Sequence, residues 1–194
     1  LEVDVNTLSA IMRSSEELGQ AQMPRESLHR TDLAAFLDSL VTDRLASLLS
    51  GEEHAAAPAI AAAAGERLRF LAETDGKSCI LPIRGHALRR CLDNLVDNAL
   101  RYAVHIVVRL HRCSVSGVWL VDVEDDGPGI PPEKREQVFE PFFRLDPARG
   151  RHEGGSGLGL SIARSMARQN NAELHLLGRP GGGLIARLTF GAGD

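Results

Sequence analysis

The stretch CLDNLVDNALRYA, residues 91–103, has helical spacing: Leu88, Leu92, Leu95 and Ala99 recur three or four residues apart and form an apolar stripe. A second row lies beside it, made of Asn94, Asn98, Arg101 and Tyr102, again on one face. Asparagine forms helix poorly, because its amide competes for nearby backbone groups. Two of them, aligned in the middle of a strong helix, call for a use. An amide oxygen is a hard, neutral ligand suited to Mg2+, a cation that keeps waters and bridges phosphates. Arg101 adds a positive charge for a phosphate, and Tyr102 a ring with a polar tip. A merely solvated face is the plain alternative, so the neighbouring segments must decide.

Outward from this helix, placed at about 86 to 103, the pattern alternates between strand and helix. RLRFLAE (67–73) and CILPI (79–83) read as strands around the turn TDGK. HIVVRLHRC (105–113) and GVWLVDVE (117–124) read as a hairpin through SVSG, and AELHLLG (172–178) with LIARLTF (184–190) as a second around RPGGG. Thr31 and Asp32 offer an N-cap for a helix through residue 50. PPEKREQVFEPFF suggests a short helix, GLGLSIARSMARQN (157–170) a longer one, and residues 145–156 a loop. At the amino terminus Val5, Leu8, Ile11, Met12 and Leu18 stripe a helix that Gly19 and Pro24 end. GEEHAAAPAIAAAAGE (51–66) is a low-complexity connection. The expected fold class is α+β, a two-layer α/β sandwich over residues 25–194 with strands mostly in antiparallel hairpins, preceded by a short helix within 1–24. That helix has no partner to bury its stripe, and the chain starts mid-pattern without methionine. A piece of a longer protein is expected.

With 194 residues, 43% hydrophobic and 25% charged, the composition is that of a water-soluble globular domain. A net charge of −4 and a pI near 6.0 give no reason to propose nucleic acid or an anionic membrane as partner. Cys79, Cys91 and Cys113 lack C-x-x-C spacing and are expected as reduced core thiols.

Three further segments carry chemistry. GGSGLGL (154–160) sets Gly155, Gly157 and Gly159 at alternate positions before a helix, where backbone N–H groups can approach an anion. No strand directly precedes it, against a dinucleotide fingerprint, and the chain has no G-x-x-x-x-G-K-[ST]. In GVWLVDVED, Trp119, Val121 and Val123 share a face that period two extends to Asp125. A carboxylate at the end of an apolar row is costly unless something donates to it. Asp125 is therefore the candidate to accept from a ligand such as a purine amino group, with Asp126 left to cap the Gly-Pro-Gly turn. FEPFFR (139–144) concentrates aromatic residues in a chain with 4% of them; Phe139 and Phe142 are expected in the core and Arg144 near phosphate.

Taken together and in this order, these segments resemble the catalytic and ATP-binding domain of two-component sensor histidine kinases, in the GHKL superfamily. NLVDNALRYA resembles the N box, VEDDGPGIP the first glycine box, FEPFFR the F box, GGSGLGL the second glycine box and PGGG the glycine-rich turn near the end. The match covers roughly residues 67 to 190. It implies a Bergerat-type ATP-binding fold that holds Mg2+ and ATP between the Asn helix and a mobile lid. Asn98 then matches the metal ligand and Asn94 its partner one turn earlier, followed by Arg101 and Tyr102. Asp125 matches the adenine-binding aspartate, with Gly127, Gly129 and Ile130 shaping that pocket. Arg144 matches the arginine near the terminal phosphate, and Gly155, Ser156, Gly157, Leu158 and Gly159 the phosphate loop. Arg144, Arg101 and Asn94 are the residues implied at the chemistry.

The amino-terminal helix resembles the second helix of the family's dimerisation and phosphotransfer hairpin. The family's acceptor lies in an H-E/D-L-R-T-P context, which none of His29, His54, His86, His105, His111, His152 and His175 has. The resemblance thus implies a kinase domain that presents the γ-phosphate to a histidine on a separate hairpin and signals to a response regulator. The piece itself is expected to be monomeric or weakly dimeric, from a homodimeric parent at the inner membrane with this domain in the cytoplasm. The alternatives are an ATP hydrolase of the same superfamily and a nucleotide-regulated module without catalysis. The hydrolases carry a glutamate where Asn94 stands, and an amide is no general base. Asp93 and Asp97, rotated by about 100° from the Asn row, should face elsewhere.

Overall fold

The computed structural model describes residues 26–50, 66–145 and 156–191. The amino-terminal helix and its domain boundary, the alanine-rich connection, Gly155 and residues 146–155 of the expected loop lie outside the described residues. In chain order the elements are β1 (His29–Asp32), α1 (Leu33–Ser50), β2 (Leu68–Glu73), β3 (Ile80–Ile83), α2 (Gly85–Tyr102), β4 (Ile106–Arg112), β5 (Trp119–Asp125), α3 (Gly159–Gln169), β6 (Ala172–Gly178) and β7 (Leu184–Phe190).

A five-stranded sheet in the order β2-β4-β5-β7-β6 forms one layer. The helices form the other, and the α/β sandwich expected from the sequence is the fold observed. Both expected hairpins are present: β4 pairs antiparallel with β5 (Val108 opposite Val123) and β6 with β7 (Leu174 opposite Leu188). Alternation along these strands sends Ile106, Val108, Leu110, Val121, Val123, Ala186 and Leu188 into the core. There they meet Leu88, Leu92, Leu95 and Ala99 of α2, the stripe read from the sequence, and Ile162, Ala163 and Met166 of α3. Asp32 caps α1 as expected, its Oδ1 accepting from the N–H groups of Ala34 (3.0 Å) and Ala35 (3.3 Å).

Three expectations need correction, those on PPEKREQVFEPFF, Phe142 and Cys113. The strands expected around TDGK are both present and do not pair with each other. β2 runs parallel to β4, with α2 in the connection between them, and β3 pairs antiparallel with β1, a strand absent from the sequence reading. PPEKREQVFEPFF forms two 3-10 turns, Pro132–Lys134 and Gln137–Phe139, in place of a helix. Pro131 and Pro132 would fit a helix start, but Pro141 disfavours the α region at Glu140, which is extended with ψ of 133° and ends the second turn. Phe139 is buried, but Phe142 is 65% exposed, with φ of +68°. Cys79 and Cys91 are buried, whereas Cys113 is half-exposed in the β4–β5 turn, where hydrogen bonds from Ser116 lower its thiol to about 7.

Candidate functional site

Helix α2 is the spine of the site. Its carboxylates face away from the Asn row, as expected: Asp93 and Asp97 both pair with Arg44 of α1, Asp93 at 3.8 Å. The amide Nδ2 of Asn94 donates to the Arg90 carbonyl one turn back, at 2.8 Å. That bond turns the amide so that Oδ1 points toward the start of α3, where a side-chain carbon at Gly159 would stand 3.3 Å from it. Asn98, half-buried, follows one turn later, and Arg101 and Tyr102 are exposed at the end of the helix. There the Tyr102 carbonyl approaches Gly127 so closely that a Cβ on Gly127 would lie 3.0 Å away. One helix therefore touches both glycine segments, and the nine residues from Asn94 to Tyr102 span about 12 Å of axis.

The Gly127 end is built around Asp125. Its register opposite Leu184 closes the sheet, and its side chain ends the row of Val121 and Val123, 7% exposed. Oδ1 accepts the Gly127 N–H at 2.8 Å. Burial raises the Asp125 carboxyl above the ordinary value, against the lowering by the backbone N–H groups of Gly127 and Leu184. Asp125, then, and not Asp126, holds the Gly-Pro-Gly turn. The Asp126 carboxylate instead accepts from the N–H groups of Val104 and His105, both at 2.9 Å, and from the His105 ring at 2.7 Å. These bonds, His105 foremost, lower Asp126 to about 2. Gly129 has φ of +72° and sits against the Gly183 carbonyl; Ile130, half-buried, packs on the core, its carbonyl accepting from Arg135 Nε at 3.1 Å.

At the other end Ser156 Oγ accepts the Leu158 N–H at 3.4 Å, and Leu158 is fully buried as the anchor of α3. Gly157, φ +72°, is fastened to the aromatic segment: its carbonyl accepts the Phe142 N–H at 3.0 Å. A Cβ there would meet Phe142 backbone at 2.8 Å. Arg144, half-buried, follows two residues after the clasp. The sequence reading missed the clasp, the Arg135 tie and the contact of Gly183 with the Asp125 turn. The glycines of GGSG and PGGG signalled the first and the last of these, and nothing in the sequence signalled the Arg135 tie.

The family described as histidine kinase-, DNA gyrase B-, and HSP90-like ATPase matches residues 84–193. Sensor protein RstB of Escherichia coli K12 is 36% identical over 166 residues, which are 84% of this chain and 34% of that protein. Sensor histidine kinase CpxA of the same strain is 34% identical over 189 residues, 87% of this chain and 41% of CpxA. The chain thus spans between a third and about two fifths of the length of these relatives. Among solved structures, Acinetobacter baumannii histidine kinase AdeS aligns over 98% of this chain and 82% of its own, with a TM-score of 0.65 and 18% identity. The ATP-binding domain of PrrB from Mycobacterium tuberculosis aligns over 87% of this chain and 100% of its own, with a TM-score of 0.60 and 19% identity. At these identities the likeness is one of fold.

Proposed function

The chain belongs to the histidine kinase-, DNA gyrase B-, and HSP90-like ATPase family, as the ATP-binding kinase domain of a sensor histidine kinase, and on that premise we propose that it positions Mg-ATP for phosphoryl transfer to a histidine outside this domain. The observation that carries the reading is the single helix that touches both glycine segments. Asn94 lies at the α3 start and Tyr102 at the Asp125 turn. A nucleoside triphosphate lying along α2 has its base beside Asp125 and its phosphates beside Asn98, Arg101, Arg144 and the α3 N-terminus. Asp125 accepts from the base, with Gly127, Gly129 and Ile130 around it. Ser156, Gly157, Leu158 and Gly159 present backbone to the phosphates.

The donor set fits Mg2+. Among the described residues no group of three or more His, Cys, Asp or Glu could hold a metal ion. The half-buried Asn98 offers a hard, neutral amide oxygen, which suits a cation that takes its other ligands from phosphate and water. When bound, the metal neutralises charge on the phosphates. The protein's own part is to hold the chain of phosphates in line and to supply Arg101 and Arg144 as it departs. The acceptor nitrogen attacks the γ-phosphorus, the bridging P–O bond to the β-phosphate breaks, and ADP leaves. Water activation is not favoured, because Asn94 stands in the position of a general base and is not one.

The acceptor is a histidine on a dimerisation hairpin of the parent, and the phosphate passes on to a response regulator. No described helix is long and apolar enough to cross a membrane; we place the domain on the cytoplasmic side of a membrane-anchored parent. The test is incorporation of radiolabelled γ-phosphate. The chain alone stays unlabelled, and a hairpin from its own parent becomes labelled when added, slowly, because nothing tethers the two. Acid-labile, base-stable label on the chain alone would overturn the external acceptor.

A further inference from the structure

Three glycines in succession, Gly181, Gly182 and Gly183, join β6 to β7, all with positive φ: 85°, 108° and 105°. They are alike in backbone and unlike in surroundings. A side-chain carbon at Gly181 or Gly182 would meet nothing within 4 Å. At Gly183 it would overlap the Asp125 carbonyl oxygen and lie 2.9 Å from the carbonyl carbon and 3.1 Å from Asp126 Cα. The contact is reciprocated. The Gly183 carbonyl oxygen lies where a Cβ on Gly129 would come within 2.9 Å of it. Gly183 is therefore wedged between the two ends of the Asp125–Gly129 turn. The next residue, Leu184, stands opposite Asp125 in the β5–β7 ladder, and Asp125 Oδ1 accepts the Gly127 N–H at 2.8 Å.

We propose that Gly183 is a positioning residue for recognition of the purine 6-amino group, acting through Asp125. Its missing side chain lets β7 lie against the Asp125 backbone, which holds the turn where the Gly127 N–H reaches Asp125 Oδ1. That fixes which carboxylate oxygen is engaged by the backbone and which is left for a ligand. An added carbon at 183 pushes the turn outward and releases that orientation. The inference rests on the reading of Asp125 as the acceptor for the base.

The experiment compares Gly183→Ala with Gly181→Ala and Gly182→Ala, which share the positive φ but have open space. Melting temperature is measured, together with affinity for ATP and for purine riboside triphosphate, which lacks the 6-amino group. Gly183→Ala is expected to weaken ATP by at least about tenfold, the scale of one buried polar group left unpaired, and to leave the analogue within about threefold of its wild-type value. Gly182→Ala is expected to melt lower, from backbone strain, with the ATP-to-analogue ratio intact. Asp125→Asn, run in parallel, separates the two ways of failing. If it abolishes the ratio and folded Gly183→Ala keeps it, Gly183 has no positioning role and the base reading stands. If Asp125→Asn keeps the ratio, the base reading itself fails. Should Gly183→Ala not fold, Gly129→Ala enters the same contact from the other side, and an unchanged ratio there overturns the proposal.

Discussion

The two ends of the candidate site are built by different means. The Asp125 end is backbone against backbone: Gly127 under the Tyr102 carbonyl, Gly129 on Gly183, and a carboxylate 7% exposed that already holds one N–H. The Asn94 end is side chains on a helix face, half-buried or exposed, meeting a glycine segment that one clasp ties to Phe142. Shape and burial make the first end selective for one arrangement of donors. On the proposed reading, charge and amide oxygens let the second end follow what the phosphates do, at the cost of sensitivity to metal and salt. A kinase needs that division, since the base stays put while the phosphates rearrange.

The comparison predicts unequal responses. Asp125→Asn should do most, costing ATP about 1–3 kcal/mol, or roughly fivefold to 150-fold in affinity, because a donor replaces the acceptor. The same variant should be more stable than wild type without ligand at neutral pH. Burial raises the Asp125 carboxyl in the folded protein, so its ionisation costs stability once pH passes the ordinary carboxylate value. That advantage should shrink as pH falls below the carboxylate range, which paired thermal melts would show. Gly157→Ala should come next. It forces a side chain into positive φ and against Phe142 backbone, for a loss of about 1–3 kcal/mol in chemical denaturation. Phe142→Gly, which relieves the positive φ of an exposed ring, should stabilise or leave stability unchanged.

At the other end, Asn98→Ala should weaken ATP by about fivefold to tenfold in Mg2+ and hardly at all in EDTA, one ligand among several having been lost. Equal losses in both buffers, read by calorimetry, would make Asn98 structural. The smallest effect belongs to Asp126. Its carboxyl is lowered to about 2, so the stability it contributes is present above the ordinary carboxylate value and lost as pH falls from there through about 2. Asp126→Asn keeps an acceptor for Val104 and His105 but loses the ionised form. Its melting temperature should therefore fall less over that acid range than that of wild type.

How much of this could be read from the sequence follows from which interactions are periodic. The α2 stripe, the Asn row beside it and the Asp125 face of β5 were legible, because periods of 3.6 and 2 place them. The roles of Asp125 and Asp126 were half legible: adjacent carboxylates have opposite faces, but the partner of Asp126 lies 21 residues back at His105. The parallel pairing of β2 with β4 and the pairing of β3 with β1 were not legible, since both join segments that no turn connects. Phe142 was misread because an aromatic residue signals burial, while its φ is set by Gly157 from another segment. The glycines of PGGG announced a turn but not which of them touches Asp125.

The central claim is one nucleotide site with a base-reading end and a metal-assisted phosphate end. Calorimetric titration of the chain with ATP and GTP, each in Mg2+ and in EDTA, tests both ends at once. The account predicts one site per chain, ATP preferred over GTP in either buffer, and both nucleotides weakened by EDTA. Equal affinity for ATP and GTP, or affinities indifferent to Mg2+, would contradict it.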